Sequence, residues 1–257
     1  MKRAQNLVNE RRQRILDELI KQPNLTADEL GNILGVSALT IRRDFQYLEE
    51  RDRLTRFYGG ARVIESYLDK SKRDDLSEIR KNLIAKKAAE FVDDGDTIFI
   101  NTSSTALLIL KYLKGKKVNV ITNNANAVYI KKDFNVNVFL TGGELREPKD
   151  SMVGEFAYNN LSRVTANKCF IGCSGISAKV GMTTAVLAEV AINEVMLRQT
   201  IGARYVIAES SKVGHNSSFV SSDLNKINYL ITDQDVDKEE AELLSSNGLT
   251  VIKINEF

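Results

Sequence analysis

Cysteine is nearly absent from this chain of 257 residues, with two, and histidine is scarcer still, with one. Cys169 and Cys173 flank the apolar stretch CFIGC, with neither a histidine nor a second cysteine pair nearby to complete a zinc set. Two small buried hydrophobes in a reducing compartment is the simpler reading, with a redox pair as the rarer alternative. His215 stands in the loop GHNSS without a neighbouring base or nucleophile, as a solvated loop residue does. No metal site and no catalytic residue is expected from these types. Long apolar runs are missing too. None approaches the ~20 residues of a membrane span, and the opening MKRAQNLVNERRQRILDELIKQ is charged and amphipathic, unlike a signal peptide. A cytoplasmic protein without membrane contact is the expectation. Nor does one sign of charge dominate, since 36 Lys and Arg face 34 Asp and Glu, for a net +2. The distribution says more: residues 1–62 hold twelve basic and nine acidic residues and the remainder 24 and 25, a basic head on a near-neutral body. At this length two domains are the starting expectation. Neither G-x-G-x-x-G nor G-x-x-x-x-G-K-[ST] occurs, so no dinucleotide or P-loop cofactor is expected.

What the first sixty residues do contain is three helical patterns in close succession. Residues 11–21 set Ile15, Leu16, Leu19 and Ile20 on one face, and Pro23 with Asn24 ends that helix. Thr26-Ala-Asp-Glu29 is a capping box, in which the threonine oxygen takes a free N–H and the glutamate reaches back. Leu30, Ile33 and Leu34 follow at core spacing, and Gly35 supplies the left-handed stop. Ser37 then caps a third helix with Ile41, Phe45 and Leu48 as its buried stripe. A short helix, a glycine turn and a second capped helix make a helix-turn-helix. Ser37, Ala38, Leu39, Thr40, Arg42 and Arg43 fall at or near the exposed N-terminal end, which enters the major groove in that motif. Arginine there can take guanine edges bidentately or hold a phosphate. Beyond it, Leu54–Arg62 alternates and turns at a glycine pair, as a small β-ribbon does, with Arg56 and Arg62 flanking the tip. A three-helix protein-interaction module with solvated arginines is the rival, and it leaves the paired arginines and basic ribbon unexplained. The run VSALTIRRD with the wing Gly59-Gly60-Ala61 resembles the DNA-binding signature of the DeoR family of bacterial repressors, with Arg53 and Tyr58 departing from the family's usual glycine and histidine.

The remaining two hundred residues alternate β-type apolar runs (97–100, 118–121, 136–140, 168–171, 205–208, 227–231, 249–254) with helical segments (104–114, 124–132, 185–201, 237–246). Residues 63–76 are polar and mixed in sign, a linker or linking helix, and Ser77 is expected to cap a helix burying Leu83, Ile84, Ala88, Phe91 and Val92. Such alternation predicts a doubly wound, largely parallel α/β sheet, whose ligands bind beyond the carboxyl ends of the strands. The loops there are rich in hydroxyls, amides and glycines: Asn101, Thr102, Ser103, Ser104 and Thr105; Thr122 and Asn123; Gly142 and Gly143; Gly175; and Lys212. Ser, Thr, Asn and Gly also serve simply as caps and turns. Five such loops on one sheet favour a small polar ligand carrying a phosphate, held by first-turn N–H groups of a helix and by Lys212.

The resemblance extends here. DGDTIFINTSST at 94–105, Thr122-Asn123, TGGELR ending at Arg146, the glycines of IGCSGI and SSKVG at 210–214 are similar to successive blocks of that family, with Asn101, Ser103 and Glu209 departing from it. What the resemblance implies is a winged helix-turn-helix (1–62), a linker (63–76) and a sensor domain (77–257) related to sugar-phosphate isomerases. It implies a repressor of a sugar uptake or catabolism operon whose partners are double-stranded operator DNA and a phosphorylated sugar. A homo-oligomer, dimer or tetramer, follows from paired half-sites. The rivals are a sugar-phosphate isomerase with an added head, for which Glu189 and Glu209 are the available carboxylates, and a nucleotide-responsive interaction protein without DNA binding. Glu189 also fits the first turn of its helix for dipole reasons.

Overall fold

The computed structural model describes residues 2–254, apart from the side chains of 2–6 and 68–74; Met1 and 255–257, the outer ends of the two expected domains, lie outside the described residues. The chain divides into two compact units, Met1–Leu76 and Ser77–Phe257. No described helix is long and apolar enough to cross a membrane.

The first unit holds α1 (Lys2–Lys21), α2 (Ala27–Leu34), α3 (Ala38–Glu49) and the antiparallel pair β1 (Leu54–Phe57) and β2 (Gly60–Val63). Local chemistry accounts for each boundary. Thr26 Oγ1 accepts from the Glu29 N–H at 3.2 Å while Glu29 Oε2 takes the Thr26 N–H at 2.8 Å. Those bonds hold the Glu29 carboxyl below the usual range. Gly35 closes α2 at φ 68, where only glycine is unstrained, and Ser37 accepts from the Thr40 N–H to open α3. Ile15, Leu16, Leu19, Leu30, Ile41, Phe45 and Leu48 are buried together. Ile20 and Ile33, expected beside them, are exposed. Ile20 follows Leu19 and Ile33 precedes Leu34, each one position off the stripe that meets the core, so its Cβ turns to solvent.

In chain order the second unit then holds the C-terminal part of α4 (Glu65–Glu90), β3 (Thr97–Ile100), α5 (Ser104–Leu107), β4 (Val118–Thr122), β5 (Val136–Leu140), β6 (Glu144–Arg146), β7 (Ser151–Val153) and α6 (Glu155–Ser162). There follow β8 (Lys168–Gly172), β9 (Gly175–Ser177), β10 (Gly181–Thr184), α7 (Leu187–Arg198), β11 (Arg204–Ile207), β12 (Phe219–Ser222), β13 (Tyr229–Asp233), α8 (Lys238–Ser246) and β14 (Thr250–Ile254). The seven expected strands form one parallel sheet in the order β14-β13-β11-β8-β3-β4-β5. Alternate residues enter two cores: Ile98 and Ile100 join α4 and α5 on one face, and Phe99 joins α6 and α7 on the other. Burial on both faces is why the inner strands β3, β8, β11 and β13 read as unbroken apolar runs. From β3 the order runs outward through β4 and β5, and from β8 it runs outward through β11, β13 and β14. The β3–β8 junction is therefore the switch point, where strand ends part and leave a crevice.

Three expectations need correction. Ser77 caps nothing: α4 continues through it because 65–90 contains neither proline nor glycine to interrupt a helix. Of the expected helices, 104–114 is a single α-turn passing into a 3-10 segment, and 124–132 is a 3-10 segment alone, Ala125–Tyr129. The hairpin β6–β7 and the antiparallel sheet β12-β10-β9 were not expected, being strands of three or four residues too short to show a period.

One glycine inside α2 tests the packing of the first unit. A Cβ on Gly31 would lie 2.8 Å from the Val36 carbonyl oxygen, at the turn that sets α3 against α2. Alanine is worth ~1 kcal/mol over glycine in a helix, but overpacking costs about 1–3 kcal/mol. Gly31→Ala should therefore lower the urea midpoint; a raised midpoint would show that the turn yields freely.

Candidate functional site

The outward face of α3 sorts its residues by what already holds them. Asp44 turns inward, 2% exposed, and takes the Nε–H groups of Arg11 at 2.7 Å and Arg12 at 2.8 Å, which ties α1 to α3. The Arg12 guanidinium also stacks on Tyr47 at 3.4 Å. Arg42 and Arg43 remain outside. Arg42 has a side chain 64% exposed, with Asp28 no closer than 3.8 Å, and Arg43 makes no ion pair among the described residues. Leu39 is exposed beside them. Ser37 and Thr40 share a hydroxyl hydrogen bond of 2.9 Å at the helix start. Ala38 is only half outward, because it packs on the core beneath the turn. On the wing, Arg56 is not free as expected: its Nε–H donates to Glu49 Oε2 at 2.6 Å, and its backbone N–H to Glu49 Oε1 at 3.0 Å. Those bonds hold the Glu49 carboxyl below its usual range. Arg62 is exposed but pairs with Thr55, away from the tip, where Phe57 and Tyr58 stand exposed instead.

In the second unit a cavity of about 730 Å³ opens at the β3–β8 switch point, within the roughly 300–1,000 Å³ of small-molecule sites. Its floor is Asn101, Thr102, Ser103 and Ser104 after β3, and Gly172, Cys173 and Ser174 at the end of β8. Lys81 and Glu78 reach it from α4, Lys149 from the β6–β7 hairpin loop, Lys212 from the turn after β11, and Glu189 from α7. Three ammonium groups thus face two carboxylates. Asn101 is the fixed point. Its Nδ2 donates to the Gly172 carbonyl at 2.8 Å and to Asn193 Oδ1 at 2.9 Å, and its Oδ1 accepts from the N–H groups of Gly172 at 2.9 Å and Ser103 at 3.2 Å. All four of the amide's capacities are used inside the protein. Ser103 lies across Gly172, where a Cβ would meet its hydroxyl oxygen at 2.0 Å. α5 is one turn long, so its macrodipole is short; what the loop offers an anion is the first-turn N–H groups of Ser104 and Thr105 and the exposed Ser104 hydroxyl.

Several expected ligand residues serve the frame instead. Thr105 is 1% exposed and points into the core, because the helix start turns its second residue inward. Thr122 Oγ1 accepts from the Asn124 N–H, and Asn123 donates to Thr102 Oγ1 and to the Met152 carbonyl. Gly142 and Gly143 adopt left-handed φ values of 69 and 112 to turn the chain into β6, and Arg146 points outward 3.6 Å from Glu144. Gly175 lacks a side chain because the His215 carbonyl oxygen would lie 2.4 Å from its Cβ. Glu209 does not line the cavity; its Oε2 accepts from Ser77 Oγ at 2.7 Å and its Oε1 lies 4.0 Å from Lys81. Cys173 does line it, yet burial pushes its thiol up to about 12 and that of Cys169 to about 11, so neither is a thiolate near neutral pH. The residues missed from sequence, Glu78, Lys81, Asn126 and Lys149, come from α4, the segment after β4 and the β6–β7 loop, outside the strand-end motifs.

Asn101→Asp is the direct test of the floor. A carboxylate cannot donate to Gly172, so a buried carbonyl loses its partner, at a cost of about 1–3 kcal/mol. Urea unfolding should show that loss as a lower midpoint. Unchanged stability would mean that the amide is not structural.

A model of the DeoR-like helix-turn-helix domain matches residues 11–67, and one of the DeoR C-terminal sensor domain matches residues 77–234. The HTH-type transcriptional repressor GlcR of Bacillus subtilis is 32% identical over 247 residues, 93% of this chain and 93% of that one. The lactose phosphotransferase system repressor of Staphylococcus epidermidis is 30% identical over 237 residues, 88% of this chain and 94% of that one. Among solved structures, ribose 5-phosphate isomerase A of Methanocaldococcus jannaschii aligns at TM-score 0.37 and 16% identity, over 51% of this chain and 52% of that one. The chain belongs to the DeoR family of transcriptional regulators, its first unit carrying the family's DNA-binding helix-turn-helix and its second the family's sensor domain.

Proposed function

We propose that this regulator is a repressor of sugar uptake or catabolism genes whose grip on operator DNA depends on a phosphorylated sugar bound in the second unit. The observation that carries the reading is the cavity at the β3–β8 switch point, lined by Lys81, Lys149 and Lys212 and floored by a loop of hydroxyls and first-turn N–H groups. The names of the relatives support the sugar connection. The cavity binds without turnover and needs neither metal nor cofactor, and the repressor acts in the cytoplasm as a dimer or tetramer. Phe139 and Leu140, exposed on the edge strand β5, support such association.

Arg42 and Arg43 read the operator, with Ser37, Ala38 and Thr40 setting the helix end, while Arg62 holds phosphate. On a fragment selected from a random-sequence DNA pool, Arg42→Ala or Arg43→Ala should cost about 1–3 kcal/mol and relax one base position. Affinity should fall steeply with salt. Arg56→Ala should cost less, since Glu49 already holds that guanidinium. Wild-type binding by both α3 variants would remove α3 as the reader.

For the sensor, a hexose or pentose monophosphate should raise the thermal midpoint with concentration. Ser104→Glu, exposed at the loop, should abolish that rise by charge repulsion while leaving DNA binding intact, and Lys212→Ala should weaken it about tenfold, as losing one charge-assisted hydrogen bond does. Thr105 is too buried for the same test. A midpoint indifferent to every phosphate would remove the anion from this cavity.

A further inference from the structure

One of the two carboxylates in the cavity wall is unsatisfied. Glu189 is 6% exposed on the first turn of α7. Its Oε2 accepts from the buried Thr184 hydroxyl at 2.7 Å. Its Oε1 accepts no hydrogen bond, and the nearby Lys149 ammonium stands off at 3.5 Å on a half-exposed side chain. A buried carboxylate oxygen without a donor is costly, and helix-dipole compensation alone does not require burying it. Of the other lysines of the wall, the Lys81 ammonium is 4.0 Å from Glu209 Oε1, and Lys212 sits in the turn after β11 that its backbone N–H closes on the Glu209 carbonyl. Glu78, the other carboxylate of the wall, is exposed to solvent on α4, so Glu189 Oε1 is the buried acceptor that waits.

We infer that Glu189 is the specificity-determining residue of the cavity, its Oε1 accepting a hydrogen bond from a hydroxyl of a polyhydroxylated ligand whose anionic group is held by Lys81, Lys212 and the 101–104 loop. This rests on the proposed anion site. The same hydroxyl oxygen accepts from Lys149, which swings in from solvent. A phosphate ester without a hydroxyl at that point leaves the carboxylate orphaned and is rejected, as sites built around a buried polar group reject analogues that cannot pair with it. Glutamine cannot replace Glu189: once its oxygen serves Thr184, its NH₂ faces the ligand and donates where an acceptor is needed.

Calorimetric titration of the full chain tests this, with inorganic phosphate, ribose 5-phosphate, fructose 6-phosphate, glucose 6-phosphate and the three parent sugars as probes. One sugar phosphate should bind the wild type more tightly than inorganic phosphate. Glu189→Gln should weaken that ligand about 10- to 100-fold, the range for a hydrogen bond to a charged group, and should change inorganic phosphate by less than about threefold. Lys149→Met, which leaves Oε1 in place, should keep most of the preference. A Gln variant that retains the preference overturns the inference. So does one that loses inorganic phosphate in the same proportion, or a wild type that prefers no sugar phosphate. Where the Gln variant does not fold, monodeoxy analogues of the preferred ligand on the wild type decide: one should bind about 10- to 100-fold more weakly, and uniform binding by all overturns the assignment. Failure of the anion site shows separately, as a parent sugar that binds as tightly as its phosphate and still depends on Glu189.

Discussion

The side-chain amide of Asn101 ties together the ends of the two strands between which the order of the sensor's sheet reverses. Parallel order reverses between β3 and β8, and at their carboxyl ends no further ladder bond is available. Asn101 supplies the missing connection with both donors and both acceptor positions, to Gly172, Asn193 and Ser103. Because the amide is satisfied internally, it shapes the cavity floor without offering a free group to a ligand. Around it stand the lysines of the wall and Glu189 Oε1, a buried carboxylate oxygen that accepts no hydrogen bond, and the proposed recognition rests on these groups.

The same division between committed and available groups runs through the DNA-binding unit. Arg11 and Arg12 are spent on buried Asp44, and Arg56 on Glu49, so their charge fixes helix positions. Arg42 and Arg43 stay solvated on α3, without a strong internal contact to break. Membership of the DeoR family gives this arrangement its meaning. The arginines proposed to read DNA neighbour Asp44 in sequence, and Asp44 itself belongs to the scaffold that ties α1 to α3.

Local chemistry alone determined much of this protein. The capping box at Thr26–Glu29, the stop at Gly35, the Ser37 cap and the seven apolar strands were legible because each depends on neighbours a few residues away, or on burial of both sheet faces. Order along the chain could not say which hydroxyls and amides would stay free. Thr105, Thr122 and Asn123 have the composition of a ligand loop but are consumed by the frame, and Arg56 is consumed by Glu49. Lys81, Lys149 and Glu189 reach one cavity from three elements spread over more than a hundred residues, and the strand-reversal point alone brings them together. The sequence thus decided which elements form and what they can bond; the tertiary structure decided which of those bonds are already made, because hydrogen-bond capacity is finite and packing allots it before a ligand arrives.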